Sequence, residues 1–203
     1  MWLGRAPGGG RRVLEAAHHL FQAAGIAVED LESIVVGLGP GGFTGIRIGI
    51  ATALGLGQAL DVPVAGASSL EALALGFSAA RRDDAELVVP VIDARRRQVF
   101  AAAYGVGAND VLTTVIAPRV WDPTDLAAAL AYAGPSLVAG DGASLVPLPT
   151  GARLAPQGPM HHVRAANLVA RVRASGALPV APVYLRLPDA EEALLRREGA
   201  PPV

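Results

Sequence analysis

The chain has 203 residues, 52% of them hydrophobic and 17% charged, with a net charge of −1 and a pI of about 6.4. That length supports one substantial core or two small lobes, and the composition lies far from the disordered range. The lack of cysteine excludes disulfides and thiolate metal sites. The overall charge balance lacks the basic footprint of a protein that grips nucleic acid by itself.

The start of the chain, Met1 to Gly10, is glycine-rich and reads as a mobile tail. From Arg11 to Ala24 the apolar residues Val13, Leu14, Ala17, Leu20 and Phe21 recur at helical spacing, and Gly25 stands where a helix ends. Ser33 to Leu38 is a short β-branched run, the pattern of a strand buried on both faces. Gly39, Pro40, Gly41 and Gly42 then allow a sharp reversal. Thr44 is placed to cap the helix that follows, predicted from about Gly45 to Leu60.

That helix repeats Gly45, Gly49, Ala53 and Gly57 every fourth residue. Each helix glycine costs roughly 0.5–1 kcal/mol relative to alanine, so the row predicts a close approach of another backbone. The stretch is too short and glycine-rich to be expected to span a membrane. No charged n-region and apolar h-region mark a secretory leader, so the cytoplasm is the expected compartment.

Val62 to Ala67 reads as a strand, and Ser68 and Ser69 lead into a helix through Leu75. Ala79 to Ala85 is charged and loop-like, a boundary that divides the chain into lobes at 1–84 and 85–203. Glu86 to Asp93 is an apolar strand, Arg95 to Arg97 its exposed turn, and the strands Gln98–Tyr104 and Val111–Ala117 continue a meander. A helix follows from Asp122-Pro123-Thr124 to about Ala133. Ser136–Ala139 reads as a strand, Val146–Gly158 as loop, Met160–Ser175 as helix, Pro179–Pro188 as extended chain and Ala190–Glu198 as a short charged helix.

The run Gly39-Pro40-Gly41-Gly42-Phe43-Thr44-Gly45-Ile46-Arg47-Ile48-Gly49 closely resembles the signature of the bacterial TsaB (YeaZ) family, also labelled glycoprotease-like. Pro63 to Leu73 resembles the family's next segment, and Pro182-Val183-Tyr184-Leu185-Arg186 its carboxyl-terminal motif. Gly42 stands where the family usually has serine. The resemblance implies an α/β class with two lobes of the actin/Hsp70/sugar-kinase type. It also implies opening strands that the sequence before Arg11 does not display, so the first lobe is expected to be truncated, with the Ser33–Leu38 strand left with an unpaired edge.

The implied function is a non-catalytic subunit with no cofactor of its own. Its expected partners are a TsaD-like catalytic subunit and a TsaE-like ATPase, which would carry the ATP or ADP and the metal. Together they transfer a threonylcarbamoyl group to N6 of the adenosine beside the anticodon, in tRNAs reading codons that start with A. Contact with tRNA is expected through the complex and no membrane partner is expected. The partner seam is predicted at Leu14, Phe21, Gly49, Ala53 and Gly57; a homodimer through the same helices stays open.

The rival class is a stand-alone enzyme, a metal-dependent glycopeptidase or a nucleotide hydrolase. The glycine turn has neither the P-loop spacing nor the Rossmann acid. His18 with His19, and His161 with His162, are adjacent rather than four apart. Asp93 and Asp141 each read as turn residues. The Arg95–Arg97 run could touch tRNA phosphates, but a solvated turn is the plainer reading.

Overall fold

The computed structural model describes residues 9–186, with side chains from Val13 onward. The tail at residues 1–8 and the helix expected at 190–198 lie outside the described residues. Within them the fold is α/β, built on two sheets. β1 (Ile34–Gly37) and β2 (Val64–Ala67) pair in parallel, Ile34 opposite Val64 and Gly37 opposite Ala67. The second sheet has five strands in the order β5-β4-β3-β6-β7. Here β3 (Leu87–Arg95), β4 (Gln98–Val106) and β5 (Leu112–Trp121) form the antiparallel meander. β6 (Ser136–Ala139) and β7 (Ala152–Leu154) add to it in parallel. β7 was expected to be loop: it is three residues long between Pro149 and Pro156, and only its neighbour β6 reveals it.

Among the described residues five α-helices flank the sheets. α1 (Gly9–Ala24) begins earlier than its apolar period. It ends at Gly25, whose φ is 65°. The Ile26 amide donates to Phe21 O and the Gly25 amide to Gln22 O, a Schellman closure. α2 (Phe43–Leu60) starts two residues sooner than Thr44 capping would allow. Gly42 is the N-cap instead, extended at φ −66° and ψ 122°, and its carbonyl accepts from Ile46 N at 3.0 Å. α3 (Ser69–Phe77) has the serine cap expected of it: Ser68 Oγ accepts from Glu71 N at 3.4 Å. α4 (Pro123–Ala133) is capped by Asp122, which accepts from Thr124 N at 3.0 Å. α5 (Ala165–Ser175) is shorter than its predicted span, its start held back by a 3-10 turn at Pro159–His161.

The helices do not follow the chain boundary expected at residue 84. α3 precedes it, yet Leu70, Leu73, Ala74 and Phe77 pack with Val88, Ala102, Tyr104 and Leu137 of the second sheet. α5 comes late in the chain and packs back onto β1 and β2. There Leu168 approaches the Cα of Gly37 closely enough that an added Cβ would lie 3.6 Å from it. α3 and α5 thus pack on sheets formed by strands from the other side of that boundary.

α2 is 18 residues long with a mean hydropathy of 1.2, which is membrane-spanning by length and composition alone. One side of it is instead the core helix of the first sheet: Ile50 and Ala53 are buried with Val36 and Leu38. The glycine row divides along its length. A step of four residues turns about 40° around an α-helix, so the row winds through about 120° from Gly45 to Gly57. Gly45 and Gly49 open onto free space, whereas a Cβ at Gly57 would lie 2.4 Å from Val64 Cγ2. At Gly57 the close approach comes from inside this chain, from the Val64 side chain and the Val62 carbonyl.

The segment between the sheets is fixed by a buried carboxylate. Arg153 Nε and Nη2 reach the two oxygens of Glu86 at 2.7 Å each, and Nη2 also donates to Ala80 O. Burial works against the ionised form of Glu86. The hydrogen bonds from Arg153 and the Arg82 amide, with the charges of both arginines, outweigh it and hold the carboxyl below its ordinary value of 4.5. Its contribution to stability is thus in place above pH 4.5 and is lost as pH falls through the lower folded-state value.

Two outcomes are expected from thermal unfolding. Gly49→Ala should stabilise the chain by about 0.5–1 kcal/mol, and Gly57→Ala should destabilise it by about 1–3 kcal/mol through overpacking against Val64; equal effects would remove the inside-outside assignment of the row. Arg153→Met leaves Glu86 unpaired and should cost about 3 kcal/mol near neutral pH, with the gap to the unsubstituted chain narrowing below pH 4.5.

Candidate functional site

The glycine turn sits where β1 ends and α2 begins, and three separate segments hold it. Leu38 N donates to Ala67 O at 2.9 Å, and Leu38 O accepts from Val183 N at 2.8 Å. Ser69 N, at the start of α3, donates to Gly39 O at 2.8 Å. Gly39 has a φ of 107°, and a Cβ there would lie 2.8 Å from both Ile46 Cδ1 and Val183 O. Two backbones cross at this point, and only glycine satisfies both the angle and the clearance. The Gly39–Pro40 bond is cis, and Gly39 and Pro40 are buried. Beyond them Gly41 is half-buried, while Gly42, Phe43, Thr44 and Gly45 are exposed. Gly42 faces open space where the family's serine side chain would project.

Arg47 folds back over this exposed turn. Its guanidinium lies 3.9 Å from the centroid of the Phe43 ring, and its Nε donates to Tyr184 Oη at 2.7 Å. The Phe43 and Tyr184 rings are themselves 5.0 Å apart. The aromatic pair thus holds the cation in a fixed place at the surface. Tyr184 is the residue sequence reasoning left without a role; the only signal for it is the Pro182–Arg186 motif, whose place beside the turn is tertiary.

That motif belongs to a strap crossing both sheets. Leu178 and Gly66 exchange backbone hydrogen bonds at 2.9 and 3.2 Å on β2. Val183 binds Leu38, and Leu185 packs into the second core. Arg186 then donates to Ala94 O at 2.7 Å and to Gln98 Oε1, at the end of the β3–β4 hairpin.

The predicted seam residues lie apart from this turn and from one another. Leu14 is 46% exposed and Phe21 is half-buried on α1. Gly49 is half-buried with open space over its Cα. Ala53 and Gly57 are buried under the helix and are not presented to a partner, for the winding reason given above.

The remaining polar candidates are turn-builders. Asp141 Oδ1 accepts from Asp93 N at 2.9 Å, and Asp93 takes Arg95 N at 2.7 Å and the Arg95 guanidinium at 2.9 Å. A Cβ at Gly140 would lie 1.9 Å from Val91 O, and one at Gly142 2.8 Å from Asp93 N, so both glycines serve the close packing of this loop on β3. Below it lies a cleft of 620 Å³ lined by Asp141, Ser144, Gln157, His161 and His162. His161 is turned to the backbone, with ring nitrogens 3.2 Å from Gly140 N and 3.3 Å from Ala155 O. His18 and His19 are exposed, their rings 6.2 Å apart. Among the described residues no three His, Asp or Glu side chains converge as metal ligands.

The hairpin tip is unusual in its backbone. Arg95, Arg96 and Arg97 have φ of 64°, 53° and 59°. A two-residue turn between paired strands requires left-handed residues at its centre, and the twist favours Asn-Gly there. Non-glycine residues in that region cost on the order of 1–3 kcal/mol each.

Two packed α/β layers joined by a glycine turn and a return strap define a two-lobed protein of the actin/Hsp70/sugar-kinase type. The family profile described as "TsaD: tRNA N6-adenosine threonylcarbamoyltransferase" matches residues 10–183. The chain belongs to that family, among its TsaB (YeaZ) members. It is 40% identical over 169 residues to an uncharacterized protein of Mycobacterium tuberculosis, covering 83% of this chain and 70% of the relative. It is 43% identical over 93 residues to the tRNA threonylcarbamoyladenosine biosynthesis protein TsaB of Bacillus subtilis, covering 46% of this chain and 39% of that one. YeaZ from Pseudomonas aeruginosa superposes with a TM-score of 0.71 at 27% identity, over 91% of this chain and 88% of that one.

Gly39→Ala should lower stability by about 2 kcal/mol or more, because the new Cβ is disfavoured by the angle and meets a carbonyl. Thermal unfolding together with faster amide exchange at Val183 is the expected pair of results. Full protection of that amide in the variant would separate the turn from the strap.

Proposed function

We propose that this chain is a non-catalytic subunit in the biosynthesis of threonylcarbamoyladenosine on tRNA. In this reading it binds and supports a TsaD-like catalytic subunit, and a TsaE-like ATPase joins them in the cytoplasm. The assembly transfers the threonylcarbamoyl group from threonylcarbamoyl-AMP to N6 of the adenosine beside the anticodon, in tRNAs reading codons that begin with A. Nucleotide and metal are carried by the partner subunits. The family membership supports the pathway, and the names of the Bacillus subtilis and Escherichia coli relatives point the same way.

The observation that carries the subunit role is the helical surface of α1 and α2. Leu14, Leu20 and Leu54 are 46%, 58% and 45% exposed, and Gly45 and Gly49 present bare backbone beside them in sequence. Apolar side chains of this size in the open, on two helices that pack on each other, suit an interface better than water. Small residues on such a face let a second helix come near. The lobe division at residues 1–84 and 85–203 is kept as a division of labour, the first part supplying this surface.

The test is mass by light scattering after gel filtration, with the chain alone and mixed with the catalytic relative from the same genome. A one-to-one complex is expected. Gly49→Leu and Leu14→Glu should each weaken it at least tenfold, about 1.4 kcal/mol, with Gly49→Leu melting no lower than the unsubstituted chain and Leu14→Glu close to it. No complex, or unchanged affinity in both variants, would sink the assignment; a doubled mass of the chain alone would assign the surface to a second copy. Turnover of a glycopeptide or nucleotide by the isolated chain would favour the enzyme reading.

A further inference from the structure

We propose that Arg47, held at the surface by Phe43 and Tyr184, is a docking cation that takes a carboxylate side chain of the catalytic subunit. This rests on the subunit role proposed above and deepens it. That role places apolar side chains and bare backbone at the contact, and Arg47 adds the charged group that fixes where the partner sits.

A long side chain on an exposed helix face ordinarily moves through many rotamers, and a partner that orders it loses affinity for doing so. Arg47 is ordered in advance. Its guanidinium carbon lies 3.9 Å from the Phe43 ring centroid and 5.6 Å from that of Tyr184. Its Nε donates to Tyr184 Oη at 2.7 Å, from a segment 137 positions away, and among the described residues that is its one hydrogen bond. The bond uses Nε and leaves the end of the fork, Nη1 and Nη2, to take a carboxylate through two parallel bonds.

The cluster does little for the core. Phe43 and Tyr184 are 36% and 38% exposed, and neither belongs to a buried cluster. A cation over an aromatic face is weakly stabilising at an exposed site and stronger once water is excluded. The arrangement therefore gains most when a second surface covers it. Arginine and tyrosine are also the side chains on which binding energy concentrates at protein interfaces.

The surroundings of Arg47 select its occupant. It is the only charged residue of α2. At about 100° per residue, Phe43, Arg47, Leu54 and Gln58 fall within about 60° of one another around the helix, and all four are exposed. A nucleic acid is gripped by several cations spread along its backbone. A lone cation between two aromatic rings, in line with a leucine, suits a single carboxylate set in an apolar protein surface. The stripe continues onto α1, which packs on α2 and shows Leu14 and Leu20, so the acid and the apolar contacts belong to one partner.

The experiment titrates the full chain against the catalytic relative from the same genome by calorimetry, with melting of each variant followed alongside. Arg47→Gln should weaken pairing about tenfold or more. Arg47→Glu should weaken it about tenfold further, because a carboxylate then faces a carboxylate. Arg47→Lys, which keeps the charge and loses the fork, should fall between Arg47→Gln and the unsubstituted chain. Tyr184→Phe keeps the cation but frees it, and should cost about three- to tenfold. Equal losses in Arg47→Gln and Arg47→Glu overturn the inference, since they reveal packing without an acid opposite. Should Arg47→Glu fail to fold, the other pair decides: Arg47→Lys tighter than Arg47→Gln supports the carboxylate, and equality overturns it. Unchanged pairing with weaker binding of an unmodified tRNA transcript overturns it too, and assigns the cation to phosphate. Pairing untouched by every substitution strikes this inference alone; an unsubstituted chain that does not pair strikes the subunit role, and the inference falls with it.

Discussion

The backbone of Leu38 is held from both sides, by Ala67 through its amide and by Val183 through its carbonyl. Much of the molecule hangs on that double attachment. The strand β1 ends there, the glycine turn departs from there, and the strap from α5 passes over it. Because Val183 O would lie 2.8 Å from a Cβ at position 39, the crossing exists only with glycine beside Leu38. The strap then reaches Arg186, which fastens to the second sheet. One chain segment thus carries the geometry of the signature turn to the base of the arginine hairpin some strands away.

The same economy of backbone contact shapes α2. Its inward side needs a small residue where Val64 of β2 presses close, at Gly57, and its outward side shows glycine where nothing presses at all. The two uses of small residues are chemically alike and physically opposite. Inside the chain they remove bulk that would clash. On the surface they leave bare backbone beside the exposed leucines of α1 and α2, the face on which the proposed subunit contact is placed.

Arginine is this chain's only basic residue apart from histidine, and the fold assigns it two kinds of work. Arg153, Arg171 and Arg186 turn inward and are satisfied by carboxylates, carbonyls or an amide oxygen: Glu86 and Ala80, Glu71 and Gly176, Ala94 and Gln98. A guanidinium can serve two such acceptors at once because its donors are splayed in one plane. Each of these three stitches segments far apart in sequence. At the hairpin tip Arg95 pairs instead with Asp93, two residues away.

Local signals in the sequence sufficed for much of the architecture. Helical spacing from Val13 to Phe21, Gly25 as a left-handed stop, Ser68 and Asp122 as caps and β-branched runs for the central strands all depend on neighbours within a few residues. The long match around Gly39 to Gly49 carried the family. What no local signal held was decided by packing. β7 is a strand because β6 offers it an edge. Thr44 lost the cap because the Gly42 carbonyl already accepts the first helical bond. Ala53 and Gly57 were read as partner-facing because a four-residue repeat looks like one face in a linear sequence, although it winds about 40° per step on a helix. Tyr184 reached Arg47 across 137 positions of chain. The sequence alone determined the elements and their kinship, since those rest on short-range geometry; which surfaces face inward, and which side chains meet, is decided by contacts between distant segments that only the folded chain brings together.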